Sequence, residues 1–307
     1  MIEISAIIAT YNRAQFLDGL FESIANQTID SSRYEVVIVN NNSTDETEEK
    51  CLRFIAGYPN LNISYHIETQ QGLSFGRNKG IKESSAKYLT FLDDDAVLTD
   101  NFFNETINFL EQHPDVSAIG GKILLKYLAG KPSWYNPYLA SLLGYFNKGD
   151  KEEQFTKDYF RGSNMSFRAN LFDKYEAFNT GLGRVGRQLY GNEEKEIFYR
   201  LKENGETMWY VPSAVVLHLV PLERTKSDFI KKQALGTGIS QRQHAEMQSP
   251  FHVVIAILKE IMKWIVTLGL SIMYALQLRF SVSIMLIHFR TWVSYGMLCQ
   301  NSAAKEL

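Results

Sequence analysis

The chain has few of the features that mark disulfide-rich, secreted or repetitive proteins. It contains two cysteines in 307 residues, Cys51 and Cys299, and their separation matches no common metal or redox motif. A disulfide framework is therefore not expected, and a reducing compartment is assumed. No internal repeat is evident. The first apolar run is short and has no basic leader, so a signal peptide is not expected either.

The chain also lacks an excess of either charge. Lys and Arg number 32, Asp and Glu number 34, and the formal net charge is −2. This balance argues against a general nucleic-acid binder, although it is compatible with a local basic patch. A hydrophobic content of 45% with 21% charged residues indicates a globular chain. The length suits one large domain, or one domain with an appendage.

The first 120 residues alternate strand-like and helix-like segments. The pattern predicts strands at 3–9, 34–39, 62–67, 87–92 and from 117, and helices at 14–26, 45–56, 73–84 and 102–112. Such alternation predicts a parallel sheet covered by helices. Neither common glycine-rich phosphate loop is present. A bound nucleotide would therefore need a metal ion to hold its diphosphate.

Polar residues follow three of the predicted strands. They are residues 10–13, 40–45 and 93–95, and the last group is the acidic triplet in FLDDDAV. In open sheets, ligands bind beyond the carboxyl ends of the strands. Three aspartates can also form a solvated turn. Their place beside two other polar groups instead favours a divalent cation, Mg²⁺ or Mn²⁺.

Two later segments have clear patterns but more than one interpretation. Residues 121–160 are irregular and rich in aromatic side chains, which fits either a binding loop or a loop packed on the core. Asn192–Asn204 predicts a helix with Asn192 as its cap. Glu193 and Glu194 in its first turn are explained, taken alone, by the helix dipole.

The order of these motifs resembles that of the family 2 glycosyltransferases, inverting enzymes with the GT-A fold. The resemblance runs from residue 3 to about 225. It rests on SAIIATYNRAQFL, VIVNNNSTDET, GLSFGRNKGIKESSAKYLTFLDDDAVL, RGSNMSFRANLF and GNEEKEIFYRLKENGETMWYVPSAVVLH. It implies an α/β fold with a Rossmann-like, mostly parallel sheet flanked by helices. Residues 1–225 would form the catalytic domain, and 226–307 an apolar helical region.

The resemblance also implies a donor site for a nucleoside diphosphate sugar, with UDP expected. Asp95 would hold the metal that bridges the diphosphate, with Asp93 near the ribose or the metal. His218 is either a further metal or phosphate ligand or a core histidine. The nucleotide-binding candidates are Thr10, Tyr11, Asn12, Arg13, Asn40, Asn41, Arg77, Asn78, Asp93, Asp94 and Asn164.

Several of these assignments have open alternatives. Arg77 could pair with phosphate or an aspartate, or form a structural salt bridge. Asn40 stands where the family usually has Asp, so the identity of the donor base is less secure, and Asp45 is a weaker candidate for that contact. Residues 161–164 match the stretch between the donor and acceptor sites.

Glu194 matches the position of the family's catalytic base, with Glu193 as the second candidate. The expected reaction is one in-line displacement, in which Glu194 takes the proton of the acceptor hydroxyl. A base buried beside other acids would have a raised pKa. The expected acceptor is a saccharide or a lipid-linked saccharide in glycan or polysaccharide synthesis.

Residues 251–299 differ sharply in composition from the rest of the chain. Their apolar run of 15 uncharged residues ends at Arg279 and is shorter than a bilayer-spanning helix requires. Flanking cations, Trp and Tyr favour helices at a membrane interface; packing on the catalytic domain or another subunit is the alternative. The resulting expectation is a cytoplasmic protein, peripheral on the cytoplasmic face of a membrane.

Two other functions compete with sugar transfer. A nucleotidyltransferase would usually carry a glycine-rich basic loop after the first strand, and TYNRAQFL has none. A non-catalytic nucleotide-sugar-binding subunit of a glycan assembly complex is the second alternative. The intact acidic triplet and Glu194 argue against it.

Overall fold

The computed structural model describes residues 2–156, 158–183 and 192–303. The chain divides into two compact units. The first comprises Met1–Lys126 and Tyr145–Leu219, and the second comprises Tyr127–Gly144 and Val220–Leu307. Each unit is described below by itself.

The first unit is built on a mixed sheet. Its strands are β1 (Ile4–Thr10), β2 (Tyr34–Asn40), β3 (Asn62–Ile67), β4 (Tyr88–Leu92), β5 (Ala96–Leu98), β6 (Val116–Tyr127), β7 (Glu153–Gln154), β8 (Met165–Arg168) and β9 (Thr207–Val220). Its helices are α1 (Ala14–Ala25), α2 (Thr47–Gly57), α3 (Leu73–Glu83), α4 (Phe102–Gln112), α5 (Leu171–Lys174) and α6 (Glu193–Glu203). A 3₁₀ turn covers Ser31–Arg33.

The strand order is β3-β2-β1-β4-β8-β6-β9-β5, and β7 pairs with β9. Strands β3, β2, β1 and β4 are parallel, whereas β8 runs antiparallel to both β4 and β6. Thr10 lies opposite Asn40 at the ends of β1 and β2. The carboxyl ends of the parallel strands therefore share one edge of the sheet. This architecture confirms the predicted α/β class with a helix-flanked, mostly parallel sheet.

Both faces of β1, β2 and β4 are buried, whereas β3 at the edge is only partly buried. In β2, Val36 and Ile38 belong to one apolar cluster, and Val37 and Val39 belong to the other. Continuous apolar strands of this kind need helices on both sides, because every side chain must leave water. The first cluster includes residues of α1, α2 and α4, and the second includes residues of α6.

The second unit is helical. Its helices are α7 (Leu222–Thr225), α8 (Ser227–Gln248), α9 (Pro250–Leu276), α10 (Phe280–Leu298) and α11 (Gln300–Ala303), with a 3₁₀ turn at Ala140–Leu143. Ser249 caps α9, and Pro250 occupies its first turn, where a missing N–H does no harm. None of the described helices has the length and apolar character needed to cross a bilayer.

Two glycines let α8 and α10 approach closely. A methyl group on Gly238 would collide with the carbonyl oxygen of Val293, and one on Gly296 would collide with that of Leu235. Small residues at such crossings bring the helix backbones into contact. This crossing fixes the packing of the helical unit.

Candidate active site

The acidic triplet lies where the sequence places it, directly after β4. Thr10, at the end of β1, donates its hydroxyl to Oδ2 of Asp94 at 2.9 Å. Arg13, in the loop after β1, donates from Nε to Oδ1 of Asp94 at 2.6 Å, and its Nη2 pairs with Asp95. Two strand ends 81 residues apart are thus joined by one guanidinium.

Asp94 and Asp95 are buried, and burial affects the protonation of Asp94. Burial raises the pKa of Asp94 to about 7, with Arg13 opposing the rise and the charges of Asp95 and Asp93 adding to it. Burial acts against the charge of Arg13, but Asp94 and Asp95 raise the pKa of that guanidinium overall. The triplet therefore holds more negative charge than Arg13 alone offsets.

The donor set at the triplet suits a divalent cation. Nε2 of His218, on β9, lies 3.3 Å from Oδ1 of Asp95, so an imidazole and a carboxylate stand side by side. Carboxylate oxygens suit Mg²⁺ and Mn²⁺, and the excess negative charge favours a cation there. Among the described residues, however, no three acidic, histidine or cysteine side chains are already grouped as a metal site.

A second buried cation, Arg77 on α3, connects the triplet with α6. Its Nη2 lies 3.4 Å from Oδ1 of Asp93, and its Nη1 lies 3.0 Å from Oε1 of Glu193 and 3.6 Å from Oε1 of Glu194. Burial acts to lower the pKa of Arg77, but Glu194, Glu193 and Asp93 together raise it. Arg77 is therefore a permanent positive charge shared by three carboxylates.

The two acids of α6 have different surroundings. The side chain of Glu193 is 2% exposed, and that of Glu194 is 21% exposed. Burial, followed by the charge of Glu194, raises the pKa of Glu193 to about 7, although Arg77 opposes the rise. Glu194 is therefore the acid of the pair that solvent reaches.

Asn192 precedes α6 in an unexpected way. It occupies the cap position with φ of 97°, in the left-handed region, and its side chain makes no capping hydrogen bond. The predicted side-chain cap is therefore wrong. Asn tolerates the left-handed conformation better than most residues, so it suits a sharp entry into the helix.

Gly162 borders both Arg77 and Glu194. A Cβ atom at this position would collide with Oε1 of Glu194 and with Nη2 of Arg77. Within the segment 161–164, expected between the donor and acceptor sites, Gly162 thus lies against Glu194 of α6. The absence of a side chain at Gly162 is what lets these two polar groups occupy their positions.

Asn12, Asn40 and Asn41 shape the loops at the strand ends. Oδ1 of Asn12 accepts from the Thr44 N–H at 2.7 Å, and Asn12 has φ of 51°. Asn40 donates to Oη of Tyr65 at 2.8 Å and accepts from the Ser43 N–H at 2.9 Å.

Oδ1 of Asn41 accepts from the Gly72 N–H at 2.8 Å, next to the start of α3. All three amides therefore bind protein groups, and their role in nucleotide binding stays a prediction. Tyr65 was not singled out from the sequence. The sequence signal available for it was its place within the predicted strand 62–67.

Two other predicted nucleotide ligands bind backbone atoms. Asn78 makes a pair of hydrogen bonds with Phe178, donating to its carbonyl at 2.8 Å and accepting from its N–H at 2.9 Å. Asn164 donates to the carbonyls of Lys122 and Ala214. The hydrogen bonds that these two amides make are with backbone atoms and not with the acidic triplet. Tyr11 is half-buried beside Thr10.

Comparison with known proteins gives consistent results. The model of the family described as "Glycosyl transferase family 2" matches residues 5–176. A glucosyl-dolichyl phosphate glucuronosyltransferase of Haloferax volcanii is 26% identical over 246 residues, which are 78% of this chain and 77% of that protein. The minor teichoic acid biosynthesis protein GgaB of Bacillus subtilis is 35% identical over 111 residues, 36% of this chain and only 12% of its own length.

A solved structure supports the fold independently. A mannosyltransferase of Pyrobaculum calidifontis, determined with GDP-Man and Mn²⁺, has a TM-score of 0.61 at 16% identity, covering 97% of this chain and 88% of that one. At this identity the likeness concerns the fold alone. The family match extends over more than half of the residues. The chain therefore belongs to glycosyl transferase family 2, and it is a glycosyltransferase.

Proposed function

We propose that the enzyme transfers a sugar, with inversion, from a nucleoside diphosphate sugar to a saccharide or a lipid-linked saccharide in glycan synthesis. The observation that carries the proposal is the position of Arg77 between Asp93 and the two acids of α6. Asp93, proposed for the donor side, and Glu194, proposed to deprotonate the acceptor, both lie beside this one buried charge. The residues proposed to take part in catalysis all lie in the first unit.

The proposed base is Glu194. It is the more exposed acid of the pair, so an acceptor hydroxyl can reach it and give up a proton as the new bond forms. Glu193 is buried against Arg77 and positions that guanidinium. Arg77 in turn keeps the carboxylate of Glu194 close to the donor side of the site.

Asp93 and Asp95, with His218, would hold Mg²⁺ or Mn²⁺, which supplies positive charge to the leaving diphosphate. The same carboxylates also bind cations of the protein itself. Arg13 pairs with Asp95, and Arg77 pairs with Asp93. Arg13 lies in the loop after β1, where its guanidinium is suited to a phosphate oxygen of the donor.

The donor and acceptor classes draw support from the relatives. The Pyrobaculum enzyme was determined with GDP-Man and Mn²⁺, and the Haloferax protein is named for a dolichyl phosphate-linked substrate. A UDP-sugar remains the expected donor from the sequence. The amide oxygen of Asn40, at the position expected to contact the donor base, already accepts a hydrogen bond from the Ser43 N–H. Asn40 therefore does not single out uracil, and GDP-sugars are tested together with UDP-sugars.

The helical unit is proposed to attach the enzyme to the cytoplasmic face of a membrane. Helices α9 and α10 carry many exposed large apolar side chains, including Phe251, Val254, Leu258, Ile261, Ile265, Leu268, Ile272, Leu276, Phe280 and Leu298. Such surfaces are typical of helices that lie in a membrane interface.

Sedimentation with anionic phospholipid vesicles tests this attachment. The wild type should bind, the double variant Leu258→Asp/Ile265→Asp should not, and Leu52→Asp on α2 should bind as the wild type does. Failure of the wild type to bind removes the membrane proposal.

The donor proposal is tested by calorimetry with UDP-, GDP- and dTDP-sugars, with and without Mn²⁺. One donor should bind in a metal-dependent way, and Asp95→Ala should abolish that binding. Asp100→Ala, an exposed acid shortly after the triplet, is the matched control and should bind normally. If no donor binds to the folded protein, the nucleoside diphosphate sugar proposal is wrong.

A further inference from the structure

A cavity of about 360 Å³ lies within the second unit. Much of its lining is apolar and comes from α9 and α10, with Met262, Val266, Leu270, Leu286 and Phe289. Its polar lining includes Lys263, Thr267 and Arg290. An apolar cavity of this size with a few converging polar groups is typical of a ligand site.

The polar lining is organised by a buried acid, Glu260 on α9. Its carboxylate oxygens lie 3.1 and 3.2 Å from Nη1 of Arg290 and 3.4 Å from Nζ of Lys263. Glu260 also accepts from the Ser294 hydroxyl at 3.0 Å. Acids are seldom buried unless they are paired, and here the single carboxylate of Glu260 pairs with two cations. The cluster therefore has one positive charge in excess.

Arg290 is held in a fixed orientation beside the cavity. Nη1 binds Glu260, and Nε lies 3.3 Å from Oγ1 of Thr267, on the preceding helix. The hydrogen bonds of Arg290 to described residues use these two nitrogens. A planar guanidinium oriented in this way suits the oxygens of a phosphate, and a nearby ammonium adds a second charge.

The apolar lining continues onto the exposed surface. Met262 is 61% exposed and Val266 is 59% exposed, although both line the cavity. A hydrocarbon chain could therefore lie against them and still extend outward. A free phosphate would leave this apolar lining uncovered, and a neutral hydrocarbon would leave the excess positive charge without a partner.

From this combination we infer that the cavity binds a lipid phosphate. Its phosphate lies against Lys263 and Arg290, and the first part of its hydrocarbon chain lies against Met262 and Val266. The inference concerns the second unit alone. It does not depend on the transfer reaction, because binding is measured without any sugar donor.

The test is calorimetric titration of the full chain with decyl phosphate below its micelle concentration, alongside decanol and inorganic phosphate. Decyl phosphate should bind roughly tenfold more tightly than either of the others. It alone has both a phosphate for the cations of the lining and a hydrocarbon chain for the apolar side chains. Equal binding of decanol, or equal binding of inorganic phosphate, would overturn the inference.

Two variants with matched controls locate the site. Lys263→Gln keeps the Glu260–Arg290 pair and should weaken decyl phosphate binding roughly tenfold. Lys259→Gln, an exposed cation of α9 outside the lining, should have no effect. Val266→Ser should weaken binding of decyl phosphate, and Leu268→Ser should not. Equal effects of a variant and its control would show that binding occurs elsewhere and would also overturn the inference.

Discussion

Nη1 of Arg77 lies 3.0 Å from Oε1 of Glu193, which joins α3 to the first turn of α6 across 116 residues of sequence. The same guanidinium pairs with Asp93 after β4. A single buried cation therefore balances acids from two parts of the site. The positions of the proposed base and of the donor-binding acids depend on each other through Arg77.

Replacement of Arg77 by Gln should destabilise the protein strongly at pH 8. The change leaves three neighbouring carboxylates without their buried cation, and loss of one member of a buried ion pair lowers the free energy of unfolding by roughly 3–5 kcal/mol. The loss should shrink at pH 5, where Glu193, whose pKa is raised to about 7, is protonated. Urea unfolding at both pH values measures it.

Arg53→Gln is the control for that experiment. Arg53 is exposed on α2 and pairs with Glu49 at 3.6 Å, a surface pair that contributes about 1 kcal/mol or less. A loss of stability at Arg77 no larger than that at Arg53, or one independent of pH, would contradict the shared-cation account.

Glu193 should make the free energy of unfolding fall as the pH rises from 4.5 to about 7. Its folded pKa is raised to about 7 from its ordinary value of 4.5, so in this window the folded chain keeps a proton that the unfolded chain releases. One such proton gives a slope of up to about 1.4 kcal/mol per pH unit. Below 4.5 and above 7 the group should contribute no slope.

Urea unfolding from pH 4.5 to 8 tests this dependence. Glu193→Gln should reduce the slope, and Asp94, whose pKa is also raised to about 7, should supply what remains. Glu203→Gln, at the other end of α6, should leave the slope unchanged. An unaltered slope in Glu193→Gln would show that this carboxyl does not titrate in the window.

Much of the fold could be predicted from local patterns. The apolar run Tyr34–Val39 lies in β2, because a strand buried on both faces is apolar throughout. The helical spacing of 102–112 corresponds to α4, because a helix buried along one side is apolar along one stripe. Strand β8 was missed. It has four residues, and its place between β4 and β6 comes from antiparallel pairing that no short sequence pattern encodes.

The site could be predicted only in part. The residues at the strand ends were identified because parallel strands place their carboxyl ends together. The pairing of Arg13 with Asp94 and Asp95 joins segments about 80 residues apart, and the contact of Gly162 with Glu194 depends on the path of an irregular segment. Contacts of this kind depend on the folded chain and have no local signal.

Gly162→Ala should reduce transfer activity roughly a hundredfold with little change in the unfolding midpoint. The new methyl group must displace the ends of two side chains, Glu194 and Arg77, and both belong to the proposed site. Gly57→Ala at the end of α2 is the control, because a Cβ there meets no atom within 4 Å. Normal activity in Gly162→Ala would show that the exact position of these groups does not matter for transfer.

The most direct test of the account is turnover in Glu194→Gln. Release of nucleoside diphosphate from the bound donor, with saccharide or water as acceptor, should fall by roughly 10²–10⁴, while donor affinity stays within about threefold of the wild type. Glu203→Gln should retain full turnover. Wild-type turnover in Glu194→Gln, or loss of donor binding along with turnover, would contradict the assignment of Glu194 as the catalytic base.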